Sequence, residues 1–234
     1  MEHNLRPTAR REQTIVRYDP LTSQKAFHNS QARFKCFMGP VGSGKTQALC
    51  QEVLKSVHRN PGRIGLIGAP TFGMLKDATT VALLEVLEEN EIGYVLNQSN
   101  YTITFLDTRS RILLRSLDGY EHLRGSTLAW FGVDELTYTS EEAWMRLEAR
   151  LRDPRAVVLS GFGVGTPKGF DWVHRRFIAE PVEGYDLIRA EPKENRYLLE
   201  RTPDYYDRLQ ASYDDRFYRQ EVLGQFLHLL NPAK

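Results

Sequence analysis

An α/β fold, with a mostly parallel sheet flanked by helices, is predicted for this 234-residue sequence by three observations. Short apolar runs alternate with stretches of helical periodicity, the pattern of strands joined by crossover helices. One run, Leu128-Ala-Trp-Phe-Gly-Val133, is apolar at nearly every position, as a strand buried on both faces must be. Another, Arg33 to Met38, passes straight into a glycine-rich turn that opens a helix.

Composition fits that class. Hydrophobic residues make up 41% and charged residues 26%, enough for a packed core and too ordered a mixture for global disorder. Thirty-one Lys and Arg against 30 Asp and Glu give a net charge of +1, which excludes a protein that holds nucleic acid by bulk charge alone. The balance hides an asymmetry. Residues 1–60 carry ten basic and four acidic residues, +6, and residues 61–234 sum to 21 minus 26, −5. Cys36 and Cys50 are too few for a disulfide framework or a four-cysteine zinc site and read as reduced thiols. The first 20 residues are polar and basic, without the apolar core of a signal peptide, and no stretch approaches a membrane span.

In chain order, residues 1–20 read as a basic irregular arm and Thr22–Gln31 as a short helix. The strand 33–38 follows, then a helix over 45–57 with Ala48, Leu49, Val53, Leu54 and Val57 on one face. Arg63–Gly68 reads as a second strand and residues 73–90 as a helix on the periodicity of Leu75, Val81, Leu84, Val86 and Leu87. Alternation over 94–96, 101–106 and 112–117 predicts a small antiparallel hairpin region. After the strand at 128–133, Thr139 and Glu142 suit a capping box opening a helix to about Leu151. Arg155–Ser160 reads as a buried strand leading to a glycine-rich loop, Gly161, Gly163 and Gly165. A helix over 170–179, a strand over 185–190 and helices near 197–211 and 214–229 complete the chain. The domain reading is a basic arm 1–20, a core 21–180 and a small helical C-terminal lid subdomain 181–234.

The chemistry concentrates at two places. Gly39-Pro40-Val41-Gly42-Ser43-Gly44-Lys45-Thr46 fits G-x-x-x-x-G-K-[ST] throughout, between a predicted strand and a predicted helix. Glycines there let successive N–H groups face phosphate oxygens, the helix N-terminus attracts the anion, Lys45 reaches the β- and γ-oxygens and Thr46 offers a hydroxyl to Mg²⁺. The second place is Asp134-Glu135 at the end of the central strand, with Asp134 suited to hold Mg²⁺ and Glu135 to polarise an attacking water. A second carboxylate beside the metal ligand favours a nucleotide hydrolase over a kinase, which must exclude water. With no Asn-Lys-x-Asp element for guanine, adenine is the base and ATP the nucleotide. Gln24 suits a two-pronged amide grip on adenine, and Tyr18 and Phe27 serve as stacking platforms or as core.

These residues stand in an order that resembles the N-terminal ATPase domain of the large terminase subunit, the packaging motor of tailed bacteriophages. Gln24-x-x-Phe27-His28-x-Ser30 resembles its adenine motif and Ala69-Pro70-Thr71 its element after the second strand. Leu123-Arg124-Gly125 resembles a Leu-Arg-Gly element, and Trp130 to Glu135 the metal and catalytic acids. Thr166-Pro167-x-Gly169 resembles the motif that senses the γ-phosphate, while Glu194-Asn195 and Arg219-Gln220-Glu221-x-x-Gly224-x-Phe226 resemble the closing signature. The sequence departs from the family in two ways: its phosphate loop contains no Arg, and Arg196 follows Asn195 where Pro is common.

The resemblance implies a P-loop NTPase of the additional-strand, catalytic-glutamate class, hydrolysing ATP with Mg²⁺ to drive double-stranded DNA into a procapsid. It implies catalytic roles for Glu135, Lys45, Arg124 and Thr166, with Arg124 as an arginine finger acting in a neighbour's site and Arg115 in reserve. It implies a ring on the capsid, with the portal protein and the small terminase subunit as partners and the host cytoplasm as the place of work. The family's nuclease half would begin where this chain stops, so no nuclease activity is expected of it. Alternatives are a helicase or recombinase core, a small-molecule phosphotransferase, and a module that binds ATP without turnover. Arg146, Arg150, Arg152, Arg155, Arg175 and Arg176 read as a solvated face paired with nearby glutamates rather than as DNA contacts.

Overall fold

The computed structural model describes residues 16–227 except Arg124. Helix α1 (Thr22–Asn29) precedes β1 (Phe34–Met38), whose last residues feed the glycine turn and then α2 (Lys45–Arg59). After β2 (Ile64–Ala69) the chain turns through α3 (Phe72–Met74) and a π-turn (Leu75–Thr79) into α4 (Thr80–Glu89). Strands β3 (Tyr94–Asn97), β4 (Thr102–Phe105) and β5 (Arg111–Ser116) follow, then β6 (Trp130–Val133), α5 (Glu141–Arg150) and β7 (Ser160–Gly165). The remainder is α6 (Trp172–His174), a second π-turn (Arg175–Ala179), β8 (Tyr185–Arg189), α7 (Arg196–Arg201), α8 (Tyr205–Ser212) and α9 (Asp215–Glu221).

The eight strands form one sheet in the order β3-β4-β5-β2-β6-β7-β1-β8. All pairs from β5 through β8 are parallel, and only β3-β4 and β4-β5 are antiparallel. The expected α/β class holds, and the expected hairpin region is the antiparallel edge of the same sheet. Strand β8 lies within the segment 181–234 yet pairs with β1, so the core sheet runs to Arg189. One core, with Leu49, Val53, Ile67, Trp130 and Phe162, fills one face of the sheet. A second, with Met38, Leu66, Phe131, Trp144 and Val173, fills the other.

Several sequence expectations give way here. The glycines 161, 163 and 165 lie in strand β7, not in a loop. A Cβ on Gly161 would sit 2.3 Å from the Phe131 ring, and one on Gly163 2.7 Å from Leu136, so bulky neighbours on adjacent segments dictate glycine in this strand. The run Arg155 to Leu159, expected as strand, is a loop. The Asn60 side chain accepts from the Val157 and Val158 amides and donates to the Val158 carbonyl, replacing a sheet neighbour, and Val157 is 75% exposed. The helix near 197–211 is two helices, α7 and α8, parted at Thr202-Pro203, where proline disfavours helical backbone before it. The last helix stops at Glu221, and helix α5 is capped by Ser140 rather than Thr139, its hydroxyl accepting from the Ala143 amide. Val81, expected on the core face, is exposed, and Leu83, brought round onto the face of Leu75 by the residue that the π-turn inserts, is buried instead.

Candidate active site

The sheet sets the site. β1 and β6 end on the same edge, with β7 between them, so the turn after Met38 and the acids after Val133 open into one place. The glycine turn is fastened first. Gly39 donates its amide to the Gly165 carbonyl at 3.0 Å, and a Cβ there would meet Ser43 Oγ at 2.4 Å and the Ala190 Cβ at 2.7 Å. Gly42 and Gly44 take left-handed backbone, φ +77° and +79°, which favours glycine at both. The Pro40 carbonyl accepts from Ser43 Oγ at 2.7 Å and from Lys45 Nζ at 3.0 Å. Lys45 and Thr46 open α2, so the helix N-terminus faces the cradle.

Helices α7 to α9 reach over this turn. Asn195 Nδ2 donates to the Gly42 carbonyl at 2.7 Å, and the Glu221 carbonyl accepts from the Val41 amide at 2.7 Å. Tyr206 and Leu198 stand against Gly42, and Pro40 lies under Gly224. In the sequence Asn195, Glu221 and Gly224 are marked only by motif order. Their placement on the phosphate loop depends on contacts across more than 150 residues, which no local signal carries.

The acids close the other side. Asp134 is buried, 4% exposed, and burial pushes its carboxyl above the usual range against the hydrogen bond from Thr79. Glu135 is half-buried and adopts φ 47°, ψ 50°, a left-handed conformation that is strained for a side-chain-bearing residue. Burial raises its carboxyl pKa, the Lys45 charge opposes that, and Asp134 and Glu221 reinforce it. Burial in turn lowers the Lys45 ammonium, opposed by Glu135, Asp134 and Glu221. These four groups therefore lie within one electrostatic neighbourhood, and Glu221 is a carboxylate there that no motif-based role had covered.

Thr166 is buried at the end of β7, and its carbonyl accepts from Thr137 Oγ at 2.9 Å, tying the loop after β7 to the turn after Glu135. Lys168 stacks over the Tyr138 ring at 4.2 Å, and Trp172 Nε1 donates to the Thr139 carbonyl at 2.8 Å. Gln24 sits beside the cradle, its Nε2 donating to the Gly44 carbonyl at 3.0 Å and its Oε1 accepting from the Leu21 amide and the Tyr18 hydroxyl. It lines a cleft of about 620 Å³ with Tyr18, Gly44, Gln47, Asn195 and Tyr197, large enough for a purine and its sugar. Phe27 is wholly buried in the core and offers no stacking face. Arg115 spends Nη1 on the carbonyls of Asn100, Tyr101 and Leu114, at 3.1, 3.1 and 2.7 Å, which gives it a fastening role at the sheet edge. Arg124 lies outside the described residues. Arg175, half exposed, pairs with Glu141 as a solvated face would, whereas Arg176 is largely buried, pairing with Glu141 and Glu148 and stacking over the Tyr185 ring at 5.2 Å.

The donor set suits Mg²⁺ bound through phosphates. Mg²⁺ takes one or two protein oxygens and completes its shell from phosphate and water. Thr46 and Asp134 offer that, and among the described residues no group of three or more His, Cys, Asp or Glu converges for a metal held by side chains alone.

Known proteins share this chain's family and fold. The family model described as terminase large subunit, T4likevirus-type, N-terminal, matches residues 36–231. The terminase large subunit of Thermus phage G20c is 26% identical over 221 residues, covering 86% of this chain and 44% of its own length. Its counterpart in Thermus virus P23-45 is 27% identical with the same coverage, so the chain spans less than half of either relative. Among solved structures, the large terminase of a thermophilic bacteriophage in complex with ADP superposes with a TM-score of 0.78 at 17% identity, over 88% of this chain and 54% of that one. The ATPase domain of the Thermus phage P74-26 large terminase superposes at 0.66 with 20% identity, over 90% and 95%.

Proposed function

This chain belongs to the family of T4-like-virus-type N-terminal domains of the terminase large subunit, and we propose that it hydrolyses ATP with Mg²⁺ to drive double-stranded viral DNA into a procapsid. The observation that carries the reading is the strained, half-buried Glu135, held beside Asp134 and within the field of Lys45. A non-glycine residue in left-handed backbone costs stability, and such strain persists where the site depends on it. The position of β7, between the strand that leads to the phosphate loop and the strand that ends in the acids, supports the additional-strand class.

In this reading Gly39, Pro40, Val41, Gly42, Ser43 and Gly44 cradle the phosphates with backbone amides. Lys45 would exchange the Pro40 carbonyl for phosphate oxygens, and Thr46 and Asp134 would hold Mg²⁺, whose charge would offset that of the phosphates. Glu135, ionised, accepts the proton of the attacking water. Thr166 reads the γ-phosphate, and its bond to Thr137 links that reading to the Glu135 turn. Gln24, beside the cleft, is the adenine-recognising amide. Helices α7 to α9, already seated on the loop, act as the lid. Arg124 serves a neighbouring subunit's site in a ring, where a finger is worth about 10³–10⁵ in rate. The partners are the portal protein, the small terminase subunit and DNA, at the procapsid in the host cytoplasm. The basic arm 1–20, the core 21–180 and the C-terminal segment 181–234 are the proposed divisions of labour, with β8 of that last segment completing the core sheet and the helices after it forming the lid.

Phosphate release from ATP and from GTP, with and without Mg²⁺, tests the reading. Mg²⁺-dependent hydrolysis preferring ATP is expected, rising with protein concentration if Arg124 acts in trans. Transfer of the γ-phosphoryl to a metabolite with little phosphate release would replace it with the phosphotransferase alternative.

A further inference from the structure

The helix after β2 is interrupted where no motif marks it. In the π-turn Leu75–Thr79 the amide of Thr80 donates to the Leu75 carbonyl, five residues back rather than four. π-turns are rare and gather at functional sites. An added residue rotates everything after it by about 100° relative to an unbroken helix. Here Leu75 at the start of the turn and Leu83 and Leu87 after it are all buried in the core, so the insertion is accommodated by packing.

Its consequence lies at Thr79. The side chain is buried, and its Oγ lies 2.7 Å from Asp134 Oδ2. The Met74 carbonyl stands at 3.5 Å, the limit of a hydrogen bond, so the hydroxyl proton goes to the carboxylate. The other oxygen, Oδ1, accepts from the Glu135 amide at 3.1 Å. Both oxygens of Asp134 are thus held by this chain's own donors, one from the π-turn and one from the acid turn itself.

We propose that Thr79 is a positioning residue for the metal-side carboxylate: the π-turn delivers its hydroxyl to Asp134 Oδ2, and this bond with the Glu135 amide fixes the carboxylate plane before nucleotide and Mg²⁺ arrive. The proposal rests on Asp134 as the metal-side acid. Donors that orient a metal ligand commonly matter about 10–100-fold in metal affinity.

The test is Mg²⁺ titration of a fluorescent ATP analogue binding to the whole chain, in wild type, Thr79→Val, Thr79→Ser and Asp134→Ala. Valine keeps the branched shape and removes only the hydroxyl. In Thr79→Val the Mg²⁺ concentration for half-maximal enhancement of binding should rise about 10-fold or more, in the range expected for an outer-shell donor, with metal-free affinity unchanged. Thr79→Ser should restore the wild-type value. If Thr79→Val does not fold, Thr79→Cys, with a weak S–H donor, should shift the Mg²⁺ midpoint in the same direction. An unchanged Mg²⁺ midpoint in Thr79→Val or Thr79→Cys, while Asp134→Ala loses the Mg²⁺ enhancement, would overturn the positioning role. So would a loss in Thr79→Val of thermal stability alone. If Asp134→Ala itself keeps the wild-type Mg²⁺ midpoint, it is the metal reading that falls, and this proposal falls with it.

Discussion

Glu135→Gly should abolish hydrolysis and yet make the protein harder to unfold. The residue sits at φ 47°, ψ 50°, and left-handed backbone costs a side-chain-bearing residue about 1–2 kcal/mol. Glycine escapes that cost but loses about 0.5–1 kcal/mol through the greater freedom of its unfolded chain. Alanine keeps the strain and lacks glycine's entropic cost. Glu135→Gly should therefore exceed Glu135→Ala in stability by the difference, about 0.75 kcal/mol at the midpoints of the two ranges. In a chain of this length that is about 1–4 °C in Tm. Both variants remove a carboxylate that burial and the facing Asp134 and Glu221 disfavour. Thermal unfolding of wild type and both variants, free of nucleotide and in one buffer, reads the order directly. If Glu135→Ala equals or exceeds Glu135→Gly, the backbone at this position carries no strain and the claim that the site stores it fails.

Three further outcomes follow from the geometry. Gly161→Ala would drive a Cβ to 2.3 Å from the Phe131 ring in the middle of the sheet, and overpacking of this kind costs about 1–3 kcal/mol in urea unfolding; a change under ~0.5 kcal/mol would mean that β7 and β6 separate easily. Glu52→Ala should be among the most damaging single changes, about 3–5 kcal/mol, because it leaves Lys35 buried without the carboxylate 2.8 Å away and also strips His28 and Lys55 of their shared partner; unfolding at wild-type denaturant concentration would contradict the buried network. The acid limb of kcat/KM reports the free enzyme, and burial raises the Glu135 carboxyl, so activity should be lost as pH falls through a value above the ordinary 4.5; a limb at or below 4.5 would remove Glu135 as the titrating base.

Much of the site was legible in the residues themselves. The phosphate turn announces itself because its glycines, lysine and threonine must be contiguous, and the acids because they close a run apolar enough to be a buried strand. What escaped is what distant neighbours decide. Gly161, Gly163 and Gly165 look like a loop until Phe131 and Leu136 are seen filling the space their side chains would need. Val157 and Val158 look like a strand until Asn60, nearly 100 residues earlier, takes their amides. The π-turn has no local signature, and with it Leu83 joins Leu75 in the core and Thr79 reaches Asp134. Asn195 and Glu221 gain meaning only where the C-terminal helices fold back onto Gly42 and Val41. The break at Thr202-Pro203, by contrast, was readable from the proline.

The central claim is that Lys45 and Glu135 divide binding from bond cleavage within one site. ATP affinity and phosphate release, measured side by side in wild type, Lys45→Ala and Glu135→Ala, test it most directly. Lys45→Ala should lose nucleotide binding. Glu135→Ala should bind ATP as wild type does and release no phosphate beyond background. Wild-type turnover in Glu135→Ala would contradict the account.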